Sequence, residues 1–196
     1  MSDAGTPVLK PAYSPVELQS RSLAWQVGAV VVGTLLLALC SYVEVPMVPV
    51  PINMQTFGVA LIGALYGWRL GAITVVAWLA QAAVGMPVLS GGAAGAHHFV
   101  GPTAGYLFAF PVSAALAGWL AEKGWNGKRP ILAFATMMLS NAVCLAMGAA
   151  WLAVMIGFDQ AIIHGVTPFL VGAVLKSALG AATLALLTRR KKHSAQ

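Results

Sequence analysis

The sequence predicts an all-α integral membrane protein, a compact bundle of six transmembrane helices with both termini in the cytoplasm. The first observation is composition: of 196 residues, 59% are hydrophobic and only 8% are charged, whereas soluble domains carry about 25% charged residues. The second is that the apolar residues form long unbroken runs. Such runs indicate helices, because a membrane β-barrel would show segments of about ten residues that alternate between apolar and polar.

Six apolar segments are predicted to span the membrane, where a helix needs roughly 20 apolar residues. The second and third are short and are separated only by Gly67, Trp68 and Arg69. Together the six form one domain, residues 23–188, between an N-terminal tail of residues 1–22 and a basic C-terminal tail of residues 189–196. The predicted spans are residues 23–43, 55–68, 70–85, 103–121, 130–156 and 166–188.

The positions of lysine and arginine give the orientation. Ten of the eleven lie in the two tails and in the connections that follow the second and fourth spans. The other three connections, residues 44–54, 86–102 and 157–165, contain none. By the positive-inside rule, both termini are cytoplasmic and these three connections face outward. The net charge of +6 is therefore a topology signal and does not indicate a nucleic-acid partner.

The eleventh cation, Lys176, lies about ten residues into the last span, at a rise of ~1.5 Å per residue. A charge at that depth costs ~2.5–3.5 kcal/mol on insertion scales. The lysine stem reaches only part of the way to the helix end, so snorkelling does not explain it well. The sequence therefore favours a functional role, in which Lys176 faces a cavity or an anion.

The outward connections carry the unusual chemistry. The first, VPMVPVPINMQTF at residues 45–57, combines three prolines with the amides Asn53 and Gln55. The second, GMPVLSGGAAGAHHFVGPTAGY at residues 85–106, is rich in glycine, which permits close approach of the backbone to a ligand. Polar and glycine-rich loops that close one end of a helical bundle predict a small-molecule binding surface.

Several function classes find no support in the residues. The chain has no phosphate-binding loop, no H-E-x-x-H and no G-x-S-x-G. None of its five acidic residues lies within a span, which disfavours a proton relay or acid-pair hydrolysis. The adjacent His97 and His98 lack an acid or cysteine partner nearby, so no metal site is predicted. Cys40 and Cys144 fall in apolar segments and are expected to be buried free thiols.

Three stretches resemble one known family. VPVPINMQTF followed by GALYGWRLGA resembles the first signature of the BioY family, the biotin-binding substrate subunits of energy-coupling-factor (ECF) vitamin transporters. GMPVLSGGAAGAHHFVGPTAGYLFAF resembles its second signature, and TPFLVGAVLKSALGA resembles its P-F-x-x-G-D-x-x-K helix. The chain departs from the family pattern at Asn53, where Thr is usual, at Ala104, where Gly is usual, and at Ala173, where many members have Asp.

The resemblance implies a multi-pass protein of the bacterial cytoplasmic (inner) membrane that binds biotin from outside, with the loop after the first helix as a lid. It implies a protein that is not an enzyme and holds no cofactor. Its partners would be biotin, membrane lipids, a transmembrane coupling protein and two cytoplasmic ATPase subunits, which alone would use ATP. In such subunits small residues spaced by four on the first helix contact the coupling protein, and Ala29 and Gly33 have that spacing.

The expected site follows from the chemistry of biotin, which has an apolar thioether ring and tail, a ureido group and a carboxylate. Lys176 is expected to donate to the ureido oxygen or to pair with the carboxylate. Asn141, within the fifth span, is either a further donor or a link between two helices. The expected polar groups are Asn53, Gln55, Thr103, Tyr106 and Lys176, and the glycines expected to admit the ligand are Gly91, Gly92 and Gly105.

Two other functions stay open on the sequence alone. One is a substrate subunit of the same architecture for another vitamin, thiamine or riboflavin. The other is an integral membrane enzyme that acts on lipid, for which His97 and His98 would be the best catalytic groups. The enzyme hypothesis lacks a nucleophile or an acid partner.

Overall fold

Seven α-helices and one short hairpin form the part of the chain that the structure, a computed structural model, describes. It covers residues 21–193, with the helical backbone alone for residues 190–193. Most of the predicted N-terminal tail and the last three residues lie outside the described residues. The helices are α1 (Leu23–Tyr42), α2 (Gln55–Tyr66), α3 (Trp68–Ala83), α4 (Ala104–Glu122), α5 (Pro130–Ile156), α6 (Phe158–Gly165) and α7 (Phe169–His193).

Each predicted span corresponds to a helix, so the all-helical prediction is confirmed. The third span begins at Trp68 rather than at residue 70, because Gly67 alone, with φ of 82°, ends α2 and starts α3. Only glycine adopts such a backbone without strain. The last helix continues to His193, beyond the predicted end at residue 188.

The three connections that were predicted to face outward are more ordered than the sequence predicted. The first contains β1 (Glu44–Val45) and β2 (Ile52–Asn53), which pair antiparallel as a hairpin with Glu44 opposite Asn53. The second contains two 3-10 turns, Ser90–Gly92 and Ala96–Phe99. The third, predicted to be a loop, is the helix α6, on which His164 lies one turn from Gln160.

By length and composition, four helices of the described chain could cross a membrane: α1, α4, α5 and α7 up to Arg189. The helices α2 and α3 are shorter, with 12 and 16 residues. Large apolar side chains are exposed around the bundle, such as Val31, Leu35 and Leu39 on α1, at 52%, 60% and 67%. Apolar surface of this extent is suited to lipid and characterises a multi-pass membrane protein.

Small residues allow the helices to approach closely. Gly63 on α2 faces the backbone of Ala114 on α4, and Gly148 on α5 faces the ring of Tyr106 on α4. Small residues at helix contacts are the usual means of packing in membranes, where van der Waals contact replaces the hydrophobic effect. The fully buried Trp78 and Leu37 complete the core beneath the hairpin end of the bundle.

Ala29 and Gly33 on α1, the pair expected to contact a coupling protein, both touch neighbouring helices. Gly33 is buried, and a Cβ there would meet Thr74 and Tyr66. The Tyr66 hydroxyl also donates to the carbonyl of Ala29, with Oη and O 2.9 Å apart. Gly33 thus packs against α2 and α3, while Ala29 is half-buried against the core, and their contact with a coupling protein stays a prediction.

Candidate ligand-binding site

A cavity of about 410 Å³ lies at the hairpin end of the bundle. Its volume falls in the range of ~300–1,000 Å³ typical of small-molecule pockets, which are mostly apolar with a few placed polar groups. The apolar lining includes Pro49, Val50, Pro51, Leu89, Leu107, Phe110, Leu145 and Phe169. The polar lining is Asn53, Gln55, Thr56, Ser90, His97, His98, Thr103, Tyr106 and Lys176.

Lys176 projects from α7 into this cavity and is only 8% exposed. Its Nζ donates to the carbonyl oxygen of Asn53 at 2.9 Å and to Oγ1 of Thr56 at 3.0 Å. An ammonium group has three N–H donors, so one remains for a ligand. No carboxylate among the described residues forms an ion pair with Lys176, and the residue one turn before it is the apolar Ala173.

Asn53 and Gln55 form one amide network beside Lys176. Asn53 Nδ2 donates to Gln55 Oε1 and to Ser90 Oγ, each at 2.9 Å. Asn53 Oδ1 accepts from the backbone N–H of Gln55 at 3.0 Å, and Gln55 Nε2 donates to Ser41 Oγ at 3.0 Å. Ser90 Oγ in turn donates to the carboxylate of Glu44. The network leaves an oxygen lone pair on each amide and one N–H of Gln55 for a ligand.

Tyr106 contributes its ring rather than its hydroxyl. The hydroxyl donates to the carbonyl of Gly165 at 2.7 Å, and the ring stacks on Phe169 with centroids 6.2 Å apart. Tyr106 was expected to be a polar contact, but its hydroxyl is used to join α4 to the end of α6. Thr103, immediately before α4, lines the cavity, and its hydroxyl makes no hydrogen bond with the residues described.

The three predicted glycines do not line the cavity, contrary to expectation. Gly91 and Gly92 have positive φ, 61° and 79°, and lie beneath the carboxylate of Glu44 and the ring of Tyr42. Gly105 packs against Trp151 of α5, where a Cβ would overlap the side chain. At these positions glycine allows close approach within the protein, and a role in admitting the ligand stays a prediction.

The sequence did not single out Glu44, Ser90, Thr56 or Ser41, which complete the polar network. Glu44 is the only acidic residue in the connection of residues 44–54. A single acid in an otherwise uncharged connection could have drawn attention to it. Ser90 and Thr56 are short hydroxyl side chains beside predicted site residues, and such residues are too common in membrane helices to stand out.

His97 and His98 both line the cavity, with ring centroids 4.1 Å apart. Partial burial, and then the neighbouring His97, lower the pKa of His98. His98 is therefore neutral near pH 7 and can offer either a donor or an acceptor. Within residues 21–193, no three side chains of His, Cys, Asp or Glu are grouped as metal ligands.

Asn141 lies outside the cavity. Its Nδ2 donates to the carbonyl of Met137 at 3.0 Å and to Ser177 Oγ at 3.3 Å, which links α5 to α7. Of the two roles considered for Asn141, the geometry favours the link between helices. Cys40 and Cys144 are both buried free thiols, as expected, and Cys144 forms part of the cavity wall.

The fold and the cavity define a class: a small helical membrane protein with a mostly apolar cavity at one end of its bundle. A family model described as the BioY family matches residues 14–193. The chain therefore belongs to the BioY family, which confirms the resemblance found in its motifs.

Curated relatives cover most of the chain. The "Probable biotin transporter BioY" of Pyrococcus horikoshii is 34% identical over 155 residues, 79% of this chain and 91% of that protein. The "Biotin transporter BioY" of Rhizobium etli is 36% identical over 153 residues, 74% of this chain and 81% of that protein. Both are transporters by name, in agreement with the expectation that this chain is not an enzyme.

A solved structure shares the fold. It is the crystal structure of "the S-component for biotin from an ECF-type ABC transporter", with a TM-score of 0.72 and 26% sequence identity. The alignment covers 88% of this chain and 95% of that chain. The helical architecture predicted from the sequence is thus that of an experimentally determined S-component.

Proposed function

We propose that this chain binds biotin with high affinity and serves as the substrate-specific component of an ECF-type biotin uptake system. The single observation that carries the proposal is the buried Lys176, with one free N–H in an apolar cavity beside two amides. Biotin has matching groups, an apolar bicycle and a ureido unit with one carbonyl and two N–H donors. The printed functions of the relatives support the same ligand.

The polar groups of the cavity favour one direction of binding. The ureido carbonyl would accept from Lys176 Nζ, and the ureido N–H groups would donate to the amide oxygens of Asn53 and Gln55. The carboxylate would point towards the exposed end, near His97, where it keeps its hydration. A carboxylate beside the amide oxygens would meet acceptors rather than donors, and a buried charge without enough donors is costly. Thr103 and the ring of Tyr106 would complete the wall.

The membrane arrangement that we propose has six spans, with both termini in the cytoplasm of a bacterial cell and the cavity opening outward. The charge distribution supports it, because Arg69, Lys123 and Lys128 all lie at the end of the bundle away from the cavity. At ~1.5 Å per residue, α2 and α3 are shorter than the ~30 Å hydrocarbon core. The loops that flank α2 and α3 would span the remaining thickness of the bilayer.

The proposed partners are a transmembrane coupling protein, two cytoplasmic ATPase subunits and membrane lipids. The exposed apolar face of α1 supports this, since Val31, Leu35 and Leu39 have no cover among the described residues. The chain itself would hold no cofactor, and ATP would be used by the partner subunits alone.

Competition binding tests the ligand. Purified chain is incubated with radiolabelled biotin and a tenfold excess of unlabelled biotin, thiamine or riboflavin. We expect saturable binding that unlabelled biotin alone displaces. Displacement by thiamine or riboflavin in place of biotin, or no binding of biotin at all, would overturn the proposal.

A further inference from the structure

Glu44 lies outside the cavity wall, yet its carboxylate terminates the network that lines the cavity. It accepts a hydrogen bond from Ser90 Oγ, which accepts one from Asn53 Nδ2 at 2.9 Å. Glu44 also faces Asn53 across the hairpin. One continuous chain of hydrogen bonds therefore joins the hairpin, residues 44–53, to the glycine-rich loop, residues 89–103.

The carboxylate sets the direction of the hydrogen bond from Ser90 and agrees with the directions of the others. Because a carboxylate only accepts, the hydroxyl of Ser90 must donate to Glu44 and present its lone pairs to Asn53. Asn53 turns its NH₂ towards Ser90 and Gln55 Oε1, and the NH₂ of Gln55 faces Ser41. The carboxylate therefore acts at one end of the network, together with the backbone N–H of Gln55, which donates to Asn53 Oδ1, and the Ser41 hydroxyl, which donates to the carbonyl of Leu37. These contacts hold both amides in one orientation.

The glycines of the loop make this contact possible. A Cβ at Gly91 would come within 2.6 Å of Glu44 Oε1, and the φ of 61° there favours glycine in any case. A second tie lies beside the first, because the Tyr42 hydroxyl donates to the carbonyl of Pro87 at 2.8 Å. Gly91 and Gly92 do not line the cavity, but they pack against Glu44 at the start of the hairpin and Tyr42 at the end of α1.

We propose that Glu44 is a positioning residue for the ligand. Acting through Ser90, it holds the hairpin against the glycine-rich loop, presents the Asn53 and Gln55 amides in one orientation, and slows release of the ligand. The inference rests on the proposed function in that the ligand is biotin. It predicts an effect on dissociation above all, because the two loops must separate before the ligand leaves.

The kinetic test compares Glu44→Ala, Ser90→Ala and Glu44→Gln, which keeps an acceptor oxygen for Ser90. We expect the biotin dissociation rate to rise roughly tenfold or more in the two alanine variants, the effect of losing one charge-assisted hydrogen bond. The association rate should change little, and the double variant should be no worse than either single one. Glu44→Gln should recover most of the slow release. The matched control is Asp159→Ala, an exposed carboxylate on α6, with unchanged rates.

A dissociation rate in Glu44→Ala equal to that of the unmodified chain would overturn the proposal. A loss of folded protein alone would not mimic the expected result, since the rate reports only on the fraction that has bound ligand. Additive effects of Glu44→Ala and Ser90→Ala would equally contradict action through Ser90.

A second measurement needs no ligand and so separates this inference from the identity of the ligand. Spin labels are attached at Val48→Cys, at the 92% exposed tip of the hairpin, and at Ala96→Cys in the exposed loop. Pulsed electron paramagnetic resonance should give a narrow distance distribution that broadens in Glu44→Ala and stays narrow in Glu44→Gln and Asp159→Ala. An unchanged distance distribution in Glu44→Ala would refute the proposed role of Glu44 even if biotin binds. The expected broadening would support that role even if another ligand binds.

Discussion

At the scale of residues, the decisive feature is a lysine whose protein partners are all neutral. Lys176 is held by a carbonyl and a hydroxyl, so its charge is not cancelled by a neighbouring acid. Its functional importance could be predicted from the sequence, because a cation at that depth in an apolar helix is costly. Its partner Thr56 could not, since that contact joins residues 120 positions apart.

Replacing Lys176 tests the contribution of its free N–H. Lys176→Met keeps the apolar stem and should weaken biotin binding by about 10- to 150-fold, the range for a hydrogen bond to a charged group of ~1.5–3 kcal/mol. Equilibrium binding of radiolabelled biotin measures the effect. The control is Lys128→Ala, an exposed lysine at the other end of the bundle. Equal affinities of the two variants for biotin would show that Lys176 does not contribute to biotin binding.

The two cysteines give an internal comparison of cavity occupancy. Cys144 lines the cavity, whereas Cys40 is buried between α1 and α2, next to Gly58. We expect biotin to slow alkylation of Cys144 by N-ethylmaleimide at least tenfold, because the ligand fills the space through which the reagent must pass. Alkylation of Cys40 should keep its rate, and peptide mass spectrometry distinguishes the two. Equal protection of both thiols would indicate general stabilisation instead of occupancy.

At the scale of elements, the sequence predicted the long helices well and the connections at the cavity end poorly. Apolar runs define α4 and α5 within a residue or so, because lipid requires every backbone group to bond within the helix. The hairpin and α6 depend instead on pairings and packing between distant segments, which leave no periodic pattern in a short stretch. The glycines of the second outward connection were recognised, but their contacts with α1 were not.

The contact between α4 and α5 depends on glycine in a way that can be measured. Gly148→Ala should lower the thermal unfolding temperature, since its Cβ would overlap the Tyr106 ring and overpacking costs typically ~1–3 kcal/mol. Gly28→Ala is the matched control on α1, where nothing lies within 4 Å of an added Cβ. A thermal scan in detergent compares them. Equal unfolding temperatures for the two variants would show that the α4–α5 contact tolerates expansion.

At the scale of the whole molecule, the two ends of the helical bundle differ in the residues they carry. The cavity, the amide network and the glycine-rich loop occupy one end, while the short basic connections occupy the other. The positive-inside rule predicts this polarity from sequence. The way in which three distant segments converge on one cavity is a property of the folded bundle, which the sequence indicated only through the family resemblance.

Side-specific labelling tests the orientation. A membrane-impermeant maleimide applied to intact cells should label Val48→Cys in the hairpin, and should label Lys128→Cys only after the cells are permeabilised. The native chain serves as the blank and gives the background labelling of Cys40 and Cys144. Labelling of Lys128→Cys in intact cells would reverse the proposed topology.

The central claim is that the cavity beside Lys176 is a biotin site, and calorimetric titration of the purified chain with biotin tests it most directly. We predict saturation at one biotin per chain, with a binding enthalpy that becomes more favourable on warming, because burial of apolar surface gives a negative heat-capacity change. The absence of saturable binding, or saturation by thiamine or riboflavin in its place, would contradict the claim.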